Sequence, residues 1–313
     1  MEKLGWNQLQ KIEDEMMSSQ AQLNGVLTAL VTPMNADGSV DFGALGALVD
    51  SQIEAGIDGL VPCGTTGESA TMTAEEREQV IAHVVKRAKG ECTVVAGAGS
   101  NNTAIAIEHQ KRAAGTGADY ALVVTPYYNK PTPMGLYKHY EALLGAADIP
   151  IILYNVPGRT GCDMLPETVI NIAQMDGIVS VKEATADLDR IAAIRAGVSE
   201  EFKILSGDDA TTCPFVLLGG DGVISVTSNF APAQMVAMVH AARARDVETA
   251  RSQHEALRPL FDVLFIESNP IPVKTALAMA GQLEENFRLP LCAISDPARK
   301  ELTRVLKEGG WLS

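Results

Sequence analysis

A chain of 313 residues with 46% hydrophobic and 20% charged residues has the composition of a globular protein, one large α/β domain with a smaller appendage or two ordinary domains. That composition excludes a disordered or collagen-like chain, and a formal net charge of -14 argues against non-specific binding to nucleic acid or to an anionic membrane surface. The five widely spaced cysteines (Cys63, Cys92, Cys162, Cys213 and Cys292) form no Cys-x-x-Cys pair and read as reduced thiols of a cytoplasmic protein.

Residues 1–24 are polar and acidic (Glu2, Glu13, Asp14, Glu15) and lack the apolar stretch of a signal peptide, so they read as an N-terminal arm. No apolar run reaches about 18 residues, and no membrane span is expected. From Gly25 onward short apolar runs alternate with longer segments of helical period. Strands are predicted at 26–31, 59–63, 93–98, 120–125, 151–155, 178–182, 203–206 and 222–226. Helices are predicted between them at 42–55, 73–88, 103–114, 134–147, 166–175, 188–196 and 209–218, the second opening on a Thr73–Glu76 capping box. Eight strand-then-helix units predict a (β/α)8 TIM barrel over 25–245 rather than an open doubly wound sheet. Beyond the eighth strand only helical patterns follow, at 232–243, 247–266, 272–280 and 296–306, which assigns 246–313 to a C-terminal helical domain packed on the barrel.

The most unusual residue is Lys182. It ends the β-branched run Ile178, Val179 and Val181, the pattern of a strand buried in a parallel sheet. Such a lysine reaches solvent, pairs with a carboxylate, or is used. Its neighbour Glu183 is not a ready partner, because successive strand side chains point to opposite faces. In a barrel of this kind chemistry sits at the C-terminal ends of the strands. After the second strand comes Gly64-Thr65-Thr66-Gly67-Glu68, either an ordinary βα turn or one whose N–H groups gather on an oxyanion. After the fourth comes Thr125-Pro126-Tyr127-Tyr128, and the fifth ends in Tyr154-Asn155-Val156-Pro157-Gly158-Arg159-Thr160. Thr66, Tyr128, Tyr154, Arg159 and Lys182 are therefore expected to project toward one barrel mouth. A lysine in that company points to Schiff-base chemistry, with tyrosine hydroxyls moving protons and Arg159 offering a planar fork to a substrate carboxylate. The five histidines fall on predicted helices without His-x-His or His-Glu-x-x-His spacing, which argues against a metal-dependent aldolase. Gly97-Ala98-Gly99 lacks the third glycine of the dinucleotide fingerprint, and there is no P-loop.

On these residues the chain resembles the dihydrodipicolinate synthase family, pyruvate-dependent enzymes of the class I aldolase type on the diaminopimelate route to lysine. The resemblance runs from about Gly25 to the C-terminus and is carried by 64–69, 124–130, 154–161, 181–185, 205–210, 222–229 and 267–274. Lys-Glu-Ala-Thr and Gly-Thr-Thr-Gly-Glu mark the wider pyruvate-lyase superfamily. Tyr-Asn-Val-Pro-Gly-Arg-Thr-Gly is more selective, since relatives acting on sialic acid or keto-deoxy sugars usually lack its arginine. The resemblance implies a Schiff base between Lys182 and pyruvate, a proton relay of Thr66, Tyr128 and Tyr154, and binding of the pyruvate carboxylate by Thr65 and Thr66. It implies that Arg159 binds the carboxylate of L-aspartate-4-semialdehyde, that Gly207 and Ile224 supply backbone groups, and that no metal or organic cofactor takes part. It further implies a homo-oligomer, a tetramer built as a dimer of dimers, with Tyr128 reaching the neighbouring subunit's site.

The family's lysine-binding regulatory site corresponds to Ser69, Ala70, Arg77, Asn101, Ile105 and Tyr127. Lysine-inhibited members carry histidine at the position of Arg77 and glutamate at that of Ile105, often with histidine at that of Ala74, so inhibition by lysine is expected to be weak or absent here. Two rival readings are another class I pyruvate-dependent aldolase acting on a keto-deoxy sugar acid, and a catalytically dead paralogue kept for binding. The joint presence of Lys182, Tyr154, Tyr128 and Thr66 speaks against the second.

Overall fold

The computed structural model of the chain describes residues 23–312, so the arm expected over 1–24 lies outside the described residues except for Leu23 and Asn24. Eight parallel strands close into a barrel in chain order: β1 (Gly25–Thr28), β2 (Gly59–Leu60), β3 (Thr93–Gly97), β4 (Tyr120–Val124), β5 (Ile151–Asn155), β6 (Ile178–Glu183), β7 (Lys203–Ser206) and β8 (Gly222–Ser225). β8 pairs back onto β1 through Val26 and Val223 among others. Helices cover the outside and side chains fill the inside, so the strands are buried on both faces and need the nearly unbroken apolar runs seen in the sequence. Regular pairing stops earlier than the apolar runs do in β1 and β2. Past those ends the backbone still bonds across, Ala29 N–H to the Ser225 carbonyl at 2.8 Å and Leu30 N–H to that of Val61 at 3.1 Å.

The barrel helices are α1 (Phe42–Glu54), α2 (Ala74–Ala88), α3 (Thr103–Gly115), α4 (Pro133–Leu144), α5 (Pro157–Thr160), α6 (Pro166–Ile172), α7 (Asp189–Arg195), α8 (Thr212–Leu217) and α9 (Pro232–Arg243). The capping box at α2 is present in both directions: Glu76 N–H donates to Thr73 Oγ1 at 3.2 Å and Thr73 N–H to Glu76 Oε2 at 2.9 Å. α8 starts three residues later than expected, because Asp209, the residue expected to open it, is committed elsewhere. Asp209 Oδ2 accepts from Val226 N–H, Thr227 N–H and the Thr227 hydroxyl at 2.8–3.1 Å, tying the β7 loop to the β8 loop. Asp208 accepts from the N–H and hydroxyl of Thr211 at 2.9 and 2.7 Å, closing the turn that precedes the helix.

Three further helices follow: α10 (Val247–Val263), α11 (Ile271–Met279) and α12 (Asp296–Glu308). α10 packs on α9 and on α12, and α11 packs on α12. Leu257, Leu260, Val273, Leu277, Leu302 and Leu306 are buried in the same continuous core as the barrel strands. The segment between α10 and α11 reaches over the C-terminal ends of the strands, where Phe265 and Asn269 line a cavity with residues that follow β2, β5 and β7.

Candidate active site

β5 and β6 run in register so that Tyr154 lies beside Lys182 and Asn155 beside Glu183. Alternation along each strand then sorts the four side chains into two pairs. Outside the barrel mouth, Glu183 accepts from Asn155 Nδ2 at 3.1 Å, from Thr185 N–H at 3.0 Å and from Arg190 Nη1 at 3.4 Å. Burial pushes the Glu183 carboxyl above the usual carboxylate range, against the pull of those three partners. On the other face Lys182 is only 6% exposed, and its Nζ sits 4.4 Å from the centre of the Tyr154 ring. No carboxylate of the described residues lies within ion-pair distance of it. Both bland uses of a strand-end lysine, solvation and pairing, are thus absent among the described residues. Lys274 is the contrast: fully buried, it is paired to Glu68 at 2.5 Å and donates to the Asn286 carbonyl at 2.7 Å.

Lys182 and Tyr154 line a cavity of about 200 Å³ that also takes in Thr65, Thr66, Arg159, Gly207 and Ile224. Gly207 is there for space. A Cβ at that position would stand 2.5 Å from Ala184 Cβ and 2.9 Å from Lys182 Cε, so any larger residue would push against the lysine stem. Thr66 is 3% exposed and its Oγ1 accepts from Asn269 Nδ2 at 2.9 Å. Arg159, on the short α5 that follows β5, donates from Nη2 to the Asn269 carbonyl at 3.3 Å. The turn that carries Thr65 and Thr66 ends at Glu68, a non-glycine residue at φ +56, whose carboxylate is held by Lys274 and by Arg288 N–H at 3.2 Å. An uncommon backbone conformation is maintained there by a buried ion pair from the C-terminal helices.

Tyr128 is not among the residues gathered. It is 90% exposed at φ +74, its N–H bonded to the Thr160 carbonyl at 3.1 Å, and it lies outside the cavity of its own chain. The expected common mouth therefore holds four of its five residues within one chain. Ser69 and Arg77 line a second cavity of about 50 Å³ behind Tyr154 and Thr65. Arg77 is 8% exposed and donates to the Gly97 carbonyl at 2.7 Å, and burial lowers the basicity of its guanidinium. Asn101 Nδ2 donates to the Tyr127 carbonyl at 3.1 Å, while Ala70 and Ile105 face outward. A larger open groove at Leu144, Asp148 and Asp176 lies at the N-terminal ends of β5 and β6, away from these groups. Sequence reasoning assigned no role to Asn269 or to the Glu68–Lys274 pair, both of which shape the site.

Residues 22–309 match the model of a family described as the Dihydrodipicolinate synthetase family. The 4-hydroxy-tetrahydrodipicolinate synthase of Alcanivorax borkumensis is 51% identical over 290 residues, 93% of this chain and 99% of the relative. That of Methylococcus capsulatus is 52% identical over 290 residues, 93% of this chain and 100% of the relative. Among solved structures, dihydrodipicolinate synthase from Aquifex aeolicus superposes with a TM-score of 0.90 at 46% identity, covering 92% of this chain and 99% of the other.

Proposed function

The chain belongs to the dihydrodipicolinate synthetase family and is a lyase of the class I aldolase type with 4-hydroxy-tetrahydrodipicolinate synthase activity; from that premise we propose how its own residues carry the reaction. Lys182 is the nucleophile. The observation that supports this most directly is its burial against the Tyr154 ring without a carboxylate partner among the described residues, whereas buried Lys274 is paired to Glu68.

The amine of Lys182 adds to the ketone carbon of pyruvate, and the carbinolamine loses water to form an imine. Loss of a methyl proton gives the enamine, which forms a carbon–carbon bond to the aldehyde carbon of L-aspartate-4-semialdehyde. The amino group of that substrate then attacks the imine carbon, expelling the Lys182 amine as the ring closes into 4-hydroxy-tetrahydrodipicolinate. Thr66 and Tyr154 carry protons between these steps, and Tyr128 completes the relay from a second copy of the chain. Support for that last assignment is its exposure outside its own cavity. A dimer is then the smallest complete catalytic unit, and a dimer of dimers is the assembly proposed. The Thr65–Thr66 turn holds the pyruvate carboxylate, and the Arg159 fork holds that of the semialdehyde. Gly207 leaves room for the lysine stem to swing.

Replacing Arg159 by Ala tests the division of labour. Two charge-assisted bonds lost at about 1.5 kcal/mol or more each lower kcat/KM for the semialdehyde by at least about 100-fold. Adduct formation with pyruvate, trapped by borohydride, should stay at the wild-type level. Turnover within tenfold of wild type, or loss of the adduct together with turnover, would remove Arg159 from the role given to it.

A further inference from the structure

Asn269 lies between α10 and α11, more than 200 residues from the loop it touches, and is 6% exposed. It makes two contacts in the cavity: its side-chain Nδ2 donates to Thr66 Oγ1 at 2.9 Å, and its main-chain carbonyl accepts from Arg159 at 3.3 Å. A threonine hydroxyl has one proton to give and two lone pairs to receive with, whereas an amide nitrogen only donates. With Asn269 occupying one lone pair, the Thr66 proton cannot point back at Asn269. That leaves the proton free to be given into the cavity that Thr66 lines together with Tyr154 and Lys182.

The amide orientation has a physical reason. Asn269 Oδ1 is buried without a partner among the described residues, and turning the amide over would exchange that unpaired acceptor for an unpaired buried NH2. Buried orphan N–H groups are rarer than under-satisfied carbonyls, so the observed orientation is the favoured one.

We propose that Asn269 is a positioning residue for the reaction, its side-chain amide setting the direction in which Thr66 donates its proton while its main-chain carbonyl steadies Arg159. The proposal rests on the Schiff-base reading above. It assigns two separable functions to one residue, because only the first depends on the side chain.

The test uses Asn269→Asp and Asn269→Ala in the full-length enzyme. The aspartate is nearly the same shape but receives where the amide donated, so it draws the Thr66 proton away from the cavity; the alanine merely releases it. General acid–base groups contribute about 10²- to 10⁴-fold, and misdirecting one forfeits more than freeing it. Expected are a fall in kcat of about tenfold for Asn269→Ala and about 100-fold for Asn269→Asp. In both, KM for the semialdehyde should stay within about twofold, since the main-chain contact to Arg159 survives. The deficit of Asn269→Asp relative to wild type should shrink toward acid pH, where the introduced carboxyl is protonated and donates again. Equal losses in the two variants, a deficit independent of pH, or a rise in KM with unchanged kcat would each overturn the proposal and leave Asn269 as packing. Borohydride trapping with pyruvate is run on all three proteins. Wild type without an adduct sinks the Schiff-base reading and the proposal with it, whereas an adduct in wild type beside two identical variants sinks the proposal alone.

Discussion

Replacing Lys274 by Met removes a cation from a place where its partner cannot be resolvated. The side chains of Lys274 and Glu68 are both fully buried, their charged atoms 2.5 Å apart, and Nζ also lies 4.9 Å from the centre of the Phe287 ring. Burial pulls the Lys274 amine below its usual range and Glu68 pulls it back, so the pair is held together by mutual need. Methionine fills most of the lysine stem's volume but leaves a carboxylate in the interior whose one remaining hydrogen bond among the described residues is from Arg288 N–H, at 3.2 Å. Breaking one side of a buried pair costs about 3–5 kcal/mol, whereas neutralising both sides with well-packed groups is often close to neutral. At about 2 °C per kcal/mol for a chain of this size, the single substitution should lower Tm by about 6–10 °C. The double variant Glu68→Gln/Lys274→Met keeps an acceptor for Arg288 N–H and should recover most of that loss. Because Glu68 anchors the turn carrying Thr65 and Thr66, the single variant should also lose kcat at temperatures where it is folded. Thermal unfolding of wild type, single and double variants decides the matter: a double variant as unstable as the single one would show that Lys274 contributes by packing and not by pairing.

Two other outcomes follow from the same physical reasoning. Lysine at sub-millimolar concentration should leave turnover unchanged, because Ile105 offers no acceptor to an amino group and Arg77 presents a buried guanidinium bonded to the Gly97 carbonyl; a measured half-inhibition below 1 mM, on the order of −4 kcal/mol of binding, would contradict this. His139, 5% exposed with Nδ1 facing the Thr103 hydroxyl at 3.0 Å, is pushed by burial from 6.5 down to about 4. Its folded value lies below its unfolded one, so the unfolded chain takes up the proton first as pH falls. The associated stability, about 3 kcal/mol at 1.36 kcal/mol per decade, is whole above pH 6.5 and lost on acidification through about pH 4. Denaturant titrations of wild type and His139→Gln from pH 7 to pH 4.5 should show a steeper acid loss in wild type; parallel curves would remove His139 as the cause.

The strands were legible because each is a short apolar run set between helical periods, and Lys182 stood out because a charge terminates one of those runs. Register then did what alternation alone could not: β5 and β6 align so that Tyr154, and no other residue of β5, faces Lys182. Sequence distance hid the rest. Asn269 reaches Thr66 across 203 positions and Lys274 reaches Glu68 across 206, and no local pattern reports such a contact. A signal was nonetheless available. Lys274 interrupts the apolar stretch Ile271–Met279 just as Lys182 ends its own, so the logic applied to one lysine also marks the other as a buried amine needing an explanation. The late start of α8 was hidden for a different reason, since Asp209 has the residue type of a helix N-cap but spends its carboxylate on the β8 loop.

The most direct measurement is mass spectrometry of the protein incubated with pyruvate and reduced with borohydride, followed by peptide mapping. A single pyruvyl adduct on Lys182, absent from Lys182→Arg and never found on Lys274, is expected from one buried lysine without a carboxylate partner beside another that has one. No adduct, or an adduct on any other lysine while Lys182→Arg still turns over the semialdehyde, would contradict the assignment of Lys182 as the reactive amine.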